Sequence, residues 1–242
     1  MSLGAAFLQP MLGRDYIQKI LSMGPIRLFP RWETSGVVAN ELVAGDNGTY
    51  ARDVALMTVG AGIGGYTAPL FNGINDVVNI YSLALNAVFS GAAGSVLVWS
   101  RIPVAGAWTD GIVRNLFQIR VDGDNNLFIA KHNVDNTLLY GYEAGSVTES
   151  NANTSMGGNT NWFSVGMTWD KAAEEVRYYV NRSSAGDVDI TLGIWAGNLA
   201  ANTCAIGAGT ATAVAPWFGY GGPFALWDRA LSPGDMMTAG VE

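Results

Sequence analysis

One cysteine, one histidine and few charges are what this chain of 242 residues has least of, and each scarcity closes a class of function. With Cys204 alone, no disulfide can form within the chain. A stapled extracellular module is therefore excluded, and folding in a reducing cytoplasm is the simpler expectation. With His132 alone, neither a histidine-rich zinc site nor a Cys-His pair is in prospect, and a solvated strand-end imidazole is expected. Charged residues make up 14% of the chain, 13 Lys and Arg against 20 Asp and Glu, for a net charge of −7. No basic stripe is available to neutralise phosphates, which excludes nucleic acid as the main partner. No apolar run of about eighteen residues escapes Gly, Pro or charge, so no membrane span is expected. Met1 to Leu12 is apolar but lacks a basic start and is broken at Gln9-Pro10, which argues against a secretory signal.

What is present is apolar and turn-rich: 49% hydrophobic residues, 31 glycines and eight tryptophans. A chain of this length buries roughly 70% of the surface of its unfolded form, enough for one large core. Residues 1–24 read as an apolar arm and a helix, and 25–242 as one β-rich unit. In Arg14 to Met23, residues Tyr16, Ile17, Ile20 and Leu21 share a stripe, and Gly24-Pro25 stops the helix. The arm before it carries Phe7, Leu8, Met11 and Leu12 and packs either on its own domain or on another chain; these four with Tyr16 and Ile20 are the candidates for docking to a partner.

From Pro25 onward, short β-rich runs alternate with Gly, Asn and Asp, the pattern of an all-β sandwich or barrel. Strands are expected over 26–32, 54–59, 77–81, 95–102, 116–121, 127–132, 163–169, 176–180 and 223–227. Asp122-Gly-Asp-Asn-Asn126 closes a hairpin between the fifth and sixth, since these residues tolerate φ > 0. The stretch from Ala196 to Ala215 reads as loops around one small-residue strand close to a neighbouring backbone. Ser232 and Pro233 open a short C-terminal helix.

Four phrases in order carry a family resemblance. Phe71-Asn-Gly-Ile-Asn-Asp76-Val, Trp162-Phe-Ser-Val-Gly-Met-Thr-Trp-Asp170, Val176-Arg-Tyr-Tyr-Val-Asn181 and Trp217-Phe-Gly-Tyr-Gly-Gly-Pro-Phe-Ala-Leu-Trp-Asp-Arg-Ala-Leu-Ser-Pro233 resemble the laminin-G-like and pentraxin-like branch of the concanavalin A-like lectin/glucanase superfamily. Arg182 departs from the glycine, and Asp235 from the glutamate, usual at their positions. The resemblance implies an all-β fold, a two-sheet antiparallel jelly-roll sandwich, here with a short N-terminal helix. The opening Tyr16-Ile-x-x-Ile20-Leu-x-x-Gly24-Pro-Ile before such a body also resembles proteins of tailed-phage structural gene clusters.

Fold does not settle chemistry. Glucanases of this superfamily carry E-x-D-x-E or a close variant on one strand, where the period of two puts both carboxylates on one face. None of Glu33, Glu41, Glu143, Glu149, Glu174, Glu175 and Glu242 has Asp two positions later, so no catalytic residue is expected. Asp122 to Asn126 starts like a calcium loop, but Leu127 stands where that loop needs glycine and Asn133 where it needs a bidentate glutamate. No metal or other cofactor is expected; the resemblance leaves open a calcium ion at a loop rim through Asp76 or Asp110. Gly60 to Gly65 lacks the following helix that a phosphate-binding turn needs. Two tryptophans lie in turn-rich segments beside polar residues, Trp108 with Asp110 and Trp195 with Asn198. Indole stacking with directed hydrogen bonds is how a sugar is held, which makes these four the carbohydrate candidates.

Few charges suit a surface that lies against other subunits. The leading expectation is a non-enzymatic decoration or attachment protein on a phage virion surface, made in the host cytoplasm. It would contact other virion proteins or itself as a homo-oligomer. The alternatives are a free lectin-like module, calcium-assisted or not, and more remotely a glycan hydrolase or lyase.

Overall fold

Alternation of apolar and polar residues is realised as two antiparallel sheets in a computed structural model. It describes residues 14–52, 54–56, 62–63, 66–133, 136–185 and 189–240, the side chains of 150–154 and 189–190 aside. The strands are, in chain order, β1 (Arg27–Phe29), β2 (Val38–Ala39), β3 (Gly48–Ala51), β4 (Leu70–Asn72), β5 (Val77–Asn79), β6 (Ala93–Arg101), β7 (Arg114–Arg120) and β8 (Asn126–Lys131). They continue as β9 (Thr137–Ala144), β10 (Val147–Ser155), β11 (Phe163–Asp170), β12 (Glu175–Val180), β13 (Ser183–Ser184), β14 (Asp189–Ile190), β15 (Cys204–Ile206) and β16 (Phe218–Trp227). Helices are α1 over 14–22, α2 (Leu83–Val88) and α3 (Pro233–Ala239). Among the described residues no helix is long and apolar enough to cross a membrane.

The first sheet runs β1-β16-β6-β11-β12-β13, with β4 also on β16 and β14 on β12; the second runs β10-β9-β8-β7-β15-β5-β3-β2. The period of two decides which residues meet between them. Val96 and Val98 of β6, Val165, Met167 and Trp169 of β11, and Phe224 and Leu226 of β16 point inward. They join one core with Ile119, Leu127, Ile129, Tyr140, Tyr142 and Cys204 of the facing sheet. Each such side chain contributes about 1.5–3 kcal/mol on leaving water. The intervening residues Leu97, Trp99, Ala225 and Trp227 point to the other face of the first sheet. There α1 and α3 cover them with Tyr16, Ile17, Ile20 and Met236.

This corrects the docking expectation for Tyr16 and Ile20: both are buried against their own sandwich. Tyr16 Oη donates to the Ala239 carbonyl at 2.9 Å and accepts from Trp99 Nε1 at 2.6 Å, which ties α1 to both α3 and β6. Phe7, Leu8, Met11 and Leu12 lie outside the described residues. Gly24, at φ +65°, ends α1 with its N–H on the Leu21 carbonyl.

The hairpin at Asp122–Asn126 is present, with Arg120 facing Asn126 and the Val121 N–H on the Asn125 carbonyl at 2.9 Å. Asp122 Oδ1 accepts from the Asp124 N–H and from Asn125 Nδ2, the work of a turn residue. The small-residue strand is β15, wedged between β7 and β5. Ser232 caps α3 by accepting from the Asp235 N–H, with Pro233 in the first turn. The strand expected over 54–59 is not found: residues 54–56 supply only a bridge from Ala55 to Leu70, and 57–59 lie outside the described residues. Strands β9 and β10 and helix α2 were not anticipated.

Candidate functional site

The four carbohydrate candidates do not form one site. Trp108 is fully buried in a short 3-10 helix (Ala105–Thr109); its Nε1–H donates to the Asn159 carbonyl at 2.7 Å and its ring packs 5.8 Å from Phe163. It is a core residue. Asp110 is occupied by cations: Oδ2 receives Arg114 Nη2 and Oδ1 receives Lys131 Nζ, each at 2.7 Å. Burial opposes ionisation of Asp110, but the hydrogen bonds from Lys131 and Arg114 outweigh it and hold the carboxyl below the usual carboxylate range. With both oxygens so engaged, Asp110 does not offer a calcium ion the uncompensated negative charge that such sites use.

Trp195 is half-buried at the opposite end, 5.5 Å from Phe89 and 6.2 Å from Tyr142, with its indole against Gly91. Asn198 beside it is exposed. Trp108 adjoins Phe163 and the Ser100 end of β6, Trp195 the Ala93 end, and the run of strand between those residues sets the two ends roughly 23 Å apart. Asp76 is buried in the turn between β4 and β5, where Oδ2 accepts the Asn72 N–H at 2.7 Å. Among the described residues no three His, Cys, Asp or Glu side chains are grouped so as to hold a metal ion.

Other ionisable groups also have structural partners. Glu41 accepts backbone N–H groups of Leu28, Val43 and Ala44, and Glu33 accepts from the Asn40 N–H and the Tyr50 hydroxyl. Arg31, buried nearby, donates to the carbonyls of Gly222 and Trp99; burial, partly offset by Tyr50 and Glu33, draws its pKa down to about 10. The Cys204 thiol is pushed up to about 12 by burial, the state of an inert core thiol. His132 sits half-buried just past β8.

What the fold does assemble lies on the outer face of the second sheet. Adjacent strands place side chains there in three rows: Arg120, Asn126 and Glu143; Gln118, Phe128 and Gly141; Asn115, Ala130 and Leu139. A groove of about 330 Å³ runs over them, rimmed by Val113 and Val214. Gln118 Nε2 donates to Asn126 Oδ1 at 2.6 Å and Asn126 Nδ2 to Glu143 Oε2 at 3.2 Å; Thr148 Oγ1 donates to Glu143 Oε1 at 3.2 Å. This chain of polar groups fixes their rotamers. The buried Arg120 Nε–H at its head has no hydrogen-bond partner among the described residues.

Phe128 is half-buried in the centre. Its cross-strand partner is Gly141, where an added methyl group would fall 2.1 Å from Phe128 Cε1. The glycine leaves room for the ring to lie over the β9 backbone. Amides that both donate and accept, a guanidinium and a carboxylate around an aromatic face match the hydroxyls and C–H face of a sugar ring.

No protein-family model and no curated protein matches this sequence. Solved structures do match. The CBM40 of the Ruminococcus gnavus IT-sialidase superposes with a TM-score of 0.56 at 11% identity, covering 71% of this chain and 97% of that one. The same module is also solved bound to alpha2,3 sialyllactose. The binding domain of botulinum neurotoxin serotype D gives 0.62 at 15% identity, with 88% of this chain and 50% of that one covered. Trypanosoma rangeli sialidase in complex with sialic acid gives 0.65 at 12%, with 93% and 36% covered. The chain thus spans half the length of the toxin domain and about a third of the sialidase. At such identities the likeness establishes the fold alone: a two-sheet antiparallel β-sandwich, shared with these domains.

Proposed function

We propose that this chain is a non-catalytic glycan-binding module whose ligand lies in the groove over β7, β8 and β9. The observation that carries the reading is Phe128 lying over Gly141 beside the bonded row Gln118–Asn126–Glu143. A sugar ring stacks on Phe128 while its hydroxyls exchange hydrogen bonds with the open valences of Gln118, Asn126 and Arg120. The likeness to a module solved with sialyllactose supports the ligand class.

The test is a glycan array probed with the full chain, then with Phe128→Ala and Gln118→Ala. Glycans retained by the native chain lose about tenfold in affinity in either variant, a change of about 1.4 kcal/mol. Trp195→Ala leaves them unchanged. Retention by Phe128→Ala with loss in Trp195→Ala would move the site to the other end of the sandwich and sink this reading.

A second reading concerns where the module is displayed: as a decoration or attachment protein on a tailed-phage virion, assembled after synthesis in the host cytoplasm. What favours it is an exposed apolar strip at the β2 edge, made by Val37, Val38, Leu42 and Val43, on a chain with few charges. Such a strip suits contact with a neighbouring subunit. Removing residues 1–13, rather than α1 as well, together with Val38→Lys, abolishes particle incorporation or self-association under this reading while glycan binding persists.

A further inference from the structure

A second concavity lies at the other edge of the molecule, between the segment joining β10 to β11 and the end of β12. Its volume is about 370 Å³, and Asn159, Asn161, Trp162 and Asn181 line it with Ser155 and Met156. None of the residues lining it is charged. We propose that this pocket is a second saccharide site, specific for neutral sugars and separate from the groove over β7 to β9. The proposal rests on the glycan-binding reading of the chain but not on the location of the first site.

Three observations carry it. The first is preorganisation. The segment is fastened from beneath by Trp108 Nε1–H on the Asn159 carbonyl at 2.7 Å and by Arg101 Nε–H on the Thr160 carbonyl at 2.9 Å. The Met156 N–H reaches the Asn136 carbonyl at 2.7 Å, and the Asn159 N–H closes a turn on the Met156 carbonyl at 2.8 Å. A loop already ordered this way does not lose that freedom again when a ligand arrives.

The second is amide orientation. Asn159 Oδ1 accepts the Asn161 N–H at 2.9 Å, and Asn181 Oδ1 accepts the Ser164 N–H at 3.1 Å. Accepting from backbone N–H groups identifies those atoms as oxygens and sets both rotamers. The two Nδ2 groups then have no partner among the described residues, and Asn161 contributes a whole exposed carboxamide. The third is the half-buried indole of Trp162. Its ring edge rests against Gly222, where an added methyl group would fall 2.9 Å from Cζ3.

An aromatic wall with carboxamides and a hydroxyl, and no charge, selects a ligand of C–H faces and hydroxyls that bears no charge itself. On a chain of net charge −7, a site for an anion would need a cation to offset repulsion, and no residue lining this one supplies it. The residue expected from sequence to stack on sugar, Trp108, serves this pocket from the inside as the anchor of Asn159.

The experiment is nuclear magnetic resonance on the full chain labelled with nitrogen-15, titrated with lactose, N,N′-diacetylchitobiose or maltotriose. The Trp162 indole resonance is assigned by its loss in Trp162→Phe. At least one of these sugars shifts it saturably, with a dissociation constant of about 1 mM or tighter. Asn161→Ala, at an exposed side chain, weakens the response about tenfold with no change in melting temperature. Asn181→Gly, tolerating the φ of +46° at that position, weakens it as much but also lowers the melting temperature, because the Ser164 N–H loses its acceptor. Phe128→Ala leaves it intact. A resonance unmoved by all three sugars overturns the proposal, as does a shift that survives both asparagine variants. A shift abolished by Phe128→Ala overturns it too, while leaving the glycan reading in place. A Trp162 response with no binding at the groove leaves this pocket standing and removes the other.

Discussion

Phe128 and Gly141 face each other across β8 and β9, and the ring of the first occupies the space where the second would carry a side chain. The missing Cβ is what turns an outward-pointing aromatic into a floor for the groove. Gly141→Val lifts the ring from the sheet. Affinity for any groove-bound glycan falls about tenfold while the far-ultraviolet circular dichroism is unchanged, because the β-branched residue suits a strand. A variant that binds as the native chain does would show that the ring's position is irrelevant to the ligand.

Asp110 holds down two cations, one of them the fully buried Lys131. Asp110→Asn leaves that ammonium without its counter-charge and lowers stability by about 3 kcal/mol, read from urea denaturation midpoints. Adding Lys131→Met restores most of the loss, since the buried charge goes with it.

The same carboxylate sets a pH dependence. Its folded pKa is depressed, so the unfolded chain binds the proton more tightly, and the pair's contribution is complete above the unfolded value of about 3.9. It is lost as pH falls through the lower, folded value. The stability gap between native chain and Asp110→Asn is therefore constant from pH 7 to about pH 5 and narrows toward pH 3. A gap that widens on acidification contradicts the assignment.

Tyr16 joins α1 to the sandwich through one hydroxyl that both donates and accepts. Tyr16→Phe strands the Trp99 Nε1–H and the Ala239 carbonyl in a buried layer. The cost is about 2 kcal/mol, seen as a lower denaturation midpoint. Proteolysis within α1 under native conditions accelerates alongside it. Equal midpoints would mean that this hydroxyl adds nothing to the hold on α1.

Cys204 sits in the middle of the second sheet with a thiol pushed up to about 12 by burial. A thiol reagent at pH 8 leaves it unmodified in the folded chain and labels it fully in denaturant, so labelling reports global unfolding. Rapid labelling of native protein would place β15 at an opening edge.

The strands with strong apolar alternation were legible in the chain: β6, β8, β11 and β12, the last part of β16, and the β7–β8 hairpin closed by Asp122–Asn126. So were the helical stripe of α1 and the Ser232 cap. Strand β10 was not, because apart from Ala152 its residues Thr148 to Ser155 are polar; it lies at an edge, where backbone pairing with β9 holds it. Helix α2, six residues long, begins where the Ser82 Oγ accepts the Leu85 N–H, too short a span to show a period of its own.

The site divides in the same way. Local order along the chain determined the all-β character, the absence of a disulfide within it, and which residues point in or out along each recognised strand. Tertiary structure alone decided that Trp108 lies inside and Phe128 outside. It also decided that Asp110, just past a 3-10 helix, is neutralised by Lys131 at the end of β8, and that Gln118, Asn126 and Glu143 stand side by side. The reason is physical: period and propensity act between near neighbours, whereas a binding face is made by register between strands brought together from distant parts of the sequence.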